Sequence, residues 1–144
     1  MSLENLSDGQ FLVTLQAIVY NTKTKKILIG LRKDDPNIEQ LSWTFIGGRA
    51  ENEELEESLK NTVKDKTGLD VDIKQIVHAK TYPENRKIIS IYFCAESETE
   101  ETENKGFEEL KWIDPKEVQE YFTTSIHPKV LEFLEKLELK TYHT

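Results

Sequence analysis

The sequence predicts an α/β (α+β) fold in which a mixed β-sheet is sandwiched between helices. Three observations support this prediction: strand-like segments open the chain, one amphipathic helix is inserted before further strands, and helical segments come last. No repeat or linker interrupts this order. A chain of 144 residues is therefore expected to form one domain, from about residue 11 to residue 139, with short flexible ends.

The first elements are predicted to be a hairpin and a short strand. Phe11–Tyr20 and Lys26–Arg32 are apolar and strand-like, and the polar NTKTK between them favours a hairpin. Residues 34–40 (DDPNIEQ) predict a loop, with Pro36 as the breaker. Residues 42–48 (SWTFIGG) predict a short strand that ends at two glycines.

A single helix is expected from Glu53 to Thr67. Its apolar residues Leu55, Leu59 and Val63 recur every four positions, which places one apolar stripe along the helix. The helix is predicted to end at Gly68, because glycine is the residue most often found just past the last helical turn.

Three more strands are expected after this helix. Residues 69–79 alternate apolar and polar side chains and so predict a strand with one buried face, whereas residues 87–95 are more continuously apolar and predict an interior strand. Residues 80–86 between them predict a turn. Residues 96–106 (ESETEETENKG) predict an acidic, solvated loop, and residues 108–113 (EELKWI) predict the last strand.

The C-terminal part predicts two helices. Asp114, Pro115 and Glu117 provide a cap, a first-turn proline and a capping-box partner for a short helix. Pro128 opens a final helix, for which His127 is a candidate cap. The apolar residues of that helix share one face: Val130, Phe133, Leu134 and Leu137.

Composition narrows the class of protein and its partners. Hydrophobic content of 37% with 32% charged residues is typical of a soluble protein. A net charge of −8 argues against nucleic acid as a partner, since that binding depends on clustered Lys and Arg. No apolar run approaches the roughly 20 residues of a membrane span, and the N-terminus lacks the pattern of a signal peptide. The lone Cys94 suits packing rather than an internal disulfide, so a cytoplasmic location is expected.

The segment Trp43–Leu69 has the layout of a phosphate site. Two glycines follow an apolar strand, and a Glu-rich helix then runs to another glycine. On this segment the chain resembles the Nudix (MutT-like) hydrolases, whose box is Gly, five residues, Glu, seven residues, then Arg-Glu-apolar-any-Glu-Glu-any-Gly-apolar. Anchored on the first glycine, the spacing fits at Gly47, Glu53, Asn61, Thr62, Val63, Asp65, Lys66, Gly68 and Leu69.

The resemblance implies a Nudix-type α/β/α sandwich and a reaction. Such enzymes cleave the pyrophosphate bond of a nucleoside diphosphate linked to another group, and helix carboxylates hold the Mg²⁺ or Mn²⁺ ions that bridge the phosphates. Glu53 and Asp65 are the implied catalytic acids, and with Gly47 the implied metal ligands. The residues implied to contact phosphate or substrate are Arg32, Arg49, Lys66 and Trp43.

The box is nevertheless degenerate. A metal-binding helix presents carboxylates at i, i+3 and i+4, and these positions hold Thr62, Asp65 and Lys66. The Arg that orients the first Glu is replaced by Asn61. Three functions stay open: a metal-dependent hydrolase of low activity, a module that binds a nucleotide or phosphosugar without hydrolysis, and a domain kept for protein contacts.

Other residues leave further alternatives. Glu103 or Glu108 is a candidate for a compensating carboxylate, as loop acids serve some relatives. The Gly-Gly-Arg opening also resembles the GDP-mannose mannosyl hydrolases, a branch that departs from the box. Arg32 is about equally interpretable as a surface residue, whereas the core interpretation is favoured for Trp43. A homodimer is among the expectations, because Nudix domains often dimerise.

Overall fold

A computed structural model describes residues 6–32, 42–123 and 125–140, with side chains described as far as residue 137. The predicted loop at residues 34–40, with Pro36, lies outside the described residues. The strands are β1 (Leu12–Asn21), β2 (Ile27–Leu31), β3 (Trp43–Thr44), β4 (Ile46–Arg49), β5 (Asp72–Tyr82), β6 (Asn85–Ser97) and β7 (Glu109–Ile113). The helices are α1 (Leu55–Thr67), a 3-10 turn (Pro115–Glu117), α2 (Val118–Tyr121) and α3 (Pro128–Lys140).

The strands form one mixed sheet, as the sequence predicts. Its order is β3-β2-β1-β6-β5, with β4 paired to β1 and β7 paired to β2. β1 and β6 run parallel, while the other pairs are antiparallel, including the predicted β1–β2 hairpin. Since β6 lies between β1 and β5, the prediction that its apolar sequence marks an interior strand is confirmed.

Two apolar clusters cover opposite faces of this sheet, which gives the predicted α/β/α sandwich. Successive residues of a strand point to opposite faces, and β1 accordingly contributes to both clusters. On one face Leu15 and Val19 pack with α1. On the other face Ile18 packs with α2 and α3. The helix residues that complete the two clusters are Leu59 and Val63 in the first, and Val118, Val130, Leu134 and Leu137 in the second.

Helix α1 carries the residues of the box and is positioned by its buried stripe. Leu59 and Val63 are fully buried. The periodicity also predicts that Leu55 is buried, but this residue, at the first position of the helix, is 37% exposed and lies outside the core. The helix ends as predicted, because Gly68 adopts a left-handed conformation with φ of 77° and donates its N–H to the Lys64 carbonyl.

The predicted single strand at residues 42–48 is wrong in detail. The segment is interrupted at Phe45, so that β3 pairs with β2 and β4 pairs with β1. The Phe45 side chain is buried against Tyr92 and Phe122, with ring centroids at 6.2 and 4.9 Å. This tertiary packing, which local propensity does not report, divides the strand.

The predicted turn at residues 80–86 is present but shorter than expected, since only residues 83–84 lie outside the strands. β5 and β6 continue into this segment and form a tight hairpin in which Tyr82 pairs with Asn85. Irregular pairing near Ile73–Gln75 and Ile76–His78 shifts the phase of β5. As a result β5 lacks the single buried face that its alternation predicts, and Ile76 is 59% exposed.

The C-terminal caps are those predicted. Asp114 and Glu117 form a reciprocal capping box around the 3-10 turn. The Nδ1 atom of His127 accepts the backbone N–H of Lys129 at 3.1 Å and so caps α3. Among the described helices, none has the length and apolarity needed to cross a membrane.

Candidate functional site

Two adjoining cavities open beside the sheet, one against the C-terminal end of α1 and the other against the segment between α2 and α3. The first, of about 470 Å³, is bounded by Gly47, Gly48 and Arg49 and is called here the glycine cavity. The second, of about 360 Å³, is called here the aromatic cavity, and its ring-bearing lining residues are Trp43, Phe45, Tyr82, Tyr92 and Phe122. The two cavities share the side chains of five residues: Gln16, Arg32, Thr44, Phe45 and Tyr82.

Gly47 is required by the close approach of β4 to β1. A Cβ atom at Gly47 would lie 2.3 Å from the Leu15 carbonyl oxygen and 2.6 Å from Oε1 of Gln16. Gly48 is less confined, since its Cβ would meet the Thr62 methyl group at 3.1 Å. The two glycines therefore leave this wall of the cavity without side chains, and α1 can lie directly against β4.

Lys66 projects from the last turn of α1 into the glycine cavity. Its Nζ atom donates a hydrogen bond to the Gly47 carbonyl oxygen and lies 5.8 Å from the centre of the Phe107 ring. Burial and, to a smaller extent, the charge of Arg32 lower the pKa of Lys66 below its usual value. Arg32, just beyond β2, and Arg49, at the end of β4, line the same cavity, and their contact with phosphate stays a prediction.

The aromatic cavity adds a fourth cation. Trp43 is half-buried in its wall and packs edge-on against Tyr121 with centroids 5.6 Å apart, so it serves both the core and the cavity. Nζ of Lys80 lies 4.8 Å from the Tyr82 ring centre and 6.0 Å from that of Tyr92. Burial, and then the neighbouring Tyr82, raise the pKa of Tyr92 to about 12, so its hydroxyl group stays protonated and neutral.

Glu53 and Asp65, the implied catalytic acids, are placed differently. Both side chains are exposed, and neither lines the glycine or the aromatic cavity. Oε1 of Glu53 accepts a long hydrogen bond of 3.4 Å from the side-chain amide of Asn61. Asn61 thereby contacts the Glu that the family's Arg would orient, and the catalytic role of the two acids stays a prediction.

The residues that the structure describes at the box do not fit a divalent metal ion. Across the described residues, no group of three or more Asp, Glu, His or Cys side chains could hold a metal. The candidate compensating acids lie elsewhere: the carboxylate of Glu103 is paired with Lys105 at 3.7 Å, and Glu108 is exposed and lines neither cavity. Gly47 could bind a cation only through its carbonyl oxygen. That oxygen instead accepts a hydrogen bond from the Lys66 ammonium group.

Several lining residues escaped the sequence analysis. Gln16 lies within a strand and carries no motif, and Lys80 and Tyr82 fall in the segment predicted to be a turn. The position of Phe107 is indicated indirectly in the sequence by Gly30, which interrupts the apolar strand β2. In the structure a Cβ at Gly30 would lie 2.5 Å from the Phe107 ring. A glycine inside a strand pattern indicates the close approach of another group.

Solved structures of other proteins share this fold. A MutT protein from Methanosarcina mazei Go1 is 16% identical, with 92% of this chain and 96% of that chain covered and a TM-score of 0.69. An Ap4A hydrolase from C. elegans is 10% identical, with 92% and 99% covered and a TM-score of 0.68. An ADP-ribose pyrophosphatase from Streptococcus suis is 15% identical, with 92% of each chain covered and a TM-score of 0.60.

At such low sequence identity, these similarities show a common fold and do not show a common reaction. No curated protein sequence matches the chain. The family model described as the NUDIX domain, however, matches residues 11–134, which include the whole sheet, α1 and most of α3. Together with the spacing from Gly47 to Leu69, this match shows that the chain belongs to the NUDIX domain family.

Proposed function

We propose that the protein binds a small nucleotide-linked molecule through its diphosphate, and that side-chain cations neutralise the phosphate charge without a metal ion. The glycine cavity would take the diphosphate and the aromatic cavity the attached ring. The observation that carries this proposal is that cationic side chains line the two cavities while the chain as a whole is acidic.

Among the residues that the structure describes, four cations line the two cavities and no carboxylate does. Arg49 and Lys66 line the glycine cavity, Lys80 lines the aromatic cavity, and Arg32 lines both. The chain as a whole carries a net charge of −8, with 27 acidic residues. Cations gathered in a cleft focus the field there and attract an anion even though the remaining surface is acidic. A diphosphate is an anion of suitable size and charge for such a cleft.

The aromatic cavity suits the rest of the ligand. The aromatic residues Phe45, Tyr82 and Tyr92 line it together with the polar residues Gln16 and Thr44. Ligand sites commonly combine an apolar lining with a few polar groups that fix orientation, and a flat heterocyclic base gains from stacking on aromatic rings. Two proteins with this fold are named for ligands of this class: the Ap4A hydrolase and the ADP-ribose pyrophosphatase.

Calorimetric titration with ADP-ribose in the presence of EDTA tests the proposal. The parent protein is expected to bind ADP-ribose, to bind inorganic pyrophosphate more weakly, and not to bind adenosine. Both the charge of the diphosphate and the attached ring contribute to the affinity for ADP-ribose. Arg49→Gln should weaken ADP-ribose binding by about tenfold, as expected for the loss of one charge-assisted hydrogen bond.

Arg86→Gln is the matched control for that variant. Arg86 lines neither cavity and instead donates to Oγ1 of Thr81 at 3.0 Å, so the same change of side chain should leave ADP-ribose affinity within twofold. Equal losses in the two variants, or no binding of ADP-ribose by the parent protein, would contradict the proposal.

A second candidate function is hydrolysis of the same class of ligand with Mg²⁺ or Mn²⁺. The contact between Asn61 and Glu53 favours it, since it keeps the pairing of those two box positions despite the loss of the Arg. If hydrolysis occurs in a panel of nucleotide sugars, dinucleotides and nucleoside triphosphates, Asp65→Asn and Glu53→Gln should each lower kcat/KM at least about tenfold. A panel without turnover would count against this second candidate.

A further inference from the structure

We infer that Lys66 is a built-in replacement for the metal ion, with its ammonium group held on the Gly47 carbonyl as a fixed counter-charge for phosphate. The inference deepens the proposed function and rests on it for the identity of the anion. Its evidence is the way in which the Lys66 side chain is held.

The charged end of Lys66 has a defined partner. Nζ donates to the carbonyl oxygen of Gly47, one of the three residues that the family resemblance assigns to a metal ion. An ammonium group has three N–H donors, so two remain for phosphate oxygens in the glycine cavity. Lysine binds phosphate as a compact point charge and needs no ligands of its own.

The stem of Lys66 is enclosed by the chain that follows the acidic loop. A Cβ atom at Gly106 would lie 3.2 Å from Cγ of Lys66, so the absence of a side chain at Gly106 leaves space for the stem. The Phe107 ring lies on the same side, with its centre 5.8 Å from Nζ. Packing of this kind fixes a flexible side chain in one direction and lowers the entropy lost when it binds a ligand.

Backbone hydrogen bonds fasten that loop to the end of α1. The N–H of Lys105 donates to the Lys66 carbonyl at 3.0 Å, and the N–H of Glu103 donates to the Thr67 carbonyl at 2.7 Å. The last carbonyls of a helix have no hydrogen-bond donor within the helix, and here the loop provides donors for two of them. The acidic loop, predicted to be solvated, therefore also helps to position Lys66 through its backbone.

The same arrangement disfavours a metal ion. Thr62, which stands at the first carboxylate position of the box, offers a neutral hydroxyl in place of a carboxylate, and its methyl group is the atom nearest to Gly48. Lys66 places a positive charge on the carbonyl that a cation would use, with Arg32 near enough for its charge to act on Lys66. A dication on the same carbonyl would meet the repulsion of both charges, and such repulsion is stronger in a partly buried site than in water.

Manganese binding without any ligand tests the inference separately from the proposed function. We expect no measurable Mn²⁺ binding by the parent protein in calorimetry, and at least tenfold tighter binding by Thr62→Glu/Lys66→Glu than by Thr62→Glu/Lys64→Glu. The control variant has the same composition and net charge, but Lys64 is half exposed and pairs with Asp70 at 3.0 Å. Mn²⁺ binding by the parent as tight as by the first variant would overturn the inference.

Inorganic pyrophosphate in EDTA provides the second arm, with variants that keep the length of the stem. Lys66→Met should weaken pyrophosphate binding at least tenfold, and Lys64→Met should not change it. Equal affinities in the two Met variants would overturn the role of Lys66, whatever the manganese result. If the parent binds neither pyrophosphate nor ADP-ribose but also binds no Mn²⁺, the proposed function fails while the exclusion of metal by Lys66 stands.

Discussion

Gly47→Ala is expected to destabilise the protein severely, because β4 has no space for a side chain at this position. The new Cβ would lie 2.3 Å from the Leu15 carbonyl oxygen, whereas Cβ atoms in proteins are essentially never closer than 3.0 Å to another heavy atom. The two strands would have to separate by about 0.7 Å or more to reach that distance. Leu15 is 1% exposed, and β1 is paired to β4 on one side and β6 on the other, so β1 cannot simply retreat.

The expected cost follows from these contacts. Overpacking costs about 1–3 kcal/mol, and each β1–β4 hydrogen bond that is lost adds about 1 kcal/mol. We therefore expect a loss of at least about 3 kcal/mol in the free energy of unfolding, which corresponds to a decrease of about 1 M or more in the urea midpoint. Fluorescence of Trp43 and Trp112 during urea unfolding measures this change.

Gly48→Ala is the control for this prediction. Its Cβ would lie 3.1 Å from the Thr62 methyl group, on a half-buried side chain that can adjust. Nζ of Lys66, at 3.5 Å, would be at an ordinary contact distance. The loss should be about 1 kcal/mol or less, and Thr62→Ser should relieve it by removing the methyl group. A Gly47→Ala protein as stable as Gly48→Ala would refute the close approach of β4 to β1 and with it the geometry of the glycine cavity.

Further predictions concern the core, pH and the site. Leu59→Ala should lower the free energy of unfolding by about 2–5 kcal/mol in urea titrations, since Leu59 is fully buried, whereas Leu55→Ala, at a position 37% exposed, should cost less than about 1 kcal/mol. Burial, followed by His127, Lys80 and Lys129, lowers the pKa of His78, so the folded state binds its proton less readily than the unfolded state does. The urea midpoint should therefore fall as the pH drops below about 6.5, and this fall should be smaller in His78→Gln. Asp65→Asn should leave ADP-ribose affinity in EDTA within twofold by calorimetry, and a tenfold loss would instead favour the hydrolase.

The sequence predicts the parts of this fold that depend on local patterns. The spacing of Leu59 and Val63 places α1 against the sheet, and Gly68 ends the helix because it tolerates a positive φ. The capping box at Asp114 is likewise a local feature. The division of the 42–48 strand depends on Phe45 packing against distant rings, and the length of the β5–β6 hairpin depends on cross-strand pairing, so neither is readable from local sequence.

The candidate site shows the same limit. Box spacing predicts that Arg49 and Lys66 lie near the glycines, because α1 follows β4 directly and packs against it. Lys80 reaches the cavities only through the register of β5, and Phe107 only through the loop that returns to α1. The sequence also shows that Lys66 replaces an acid, but the partner of its ammonium group, the Gly47 carbonyl, is visible only in the folded chain.

A crystal structure of the protein grown with ADP-ribose and Mn²⁺ tests the central claim most directly, since anomalous scattering identifies manganese. The predicted result is a diphosphate in the glycine cavity whose oxygens lie within hydrogen-bond distance of Lys66 Nζ, with no anomalous peak between the phosphates and α1. A manganese ion bridging the diphosphate to Glu53 or Asp65, or a diphosphate bound away from Lys66, would contradict it.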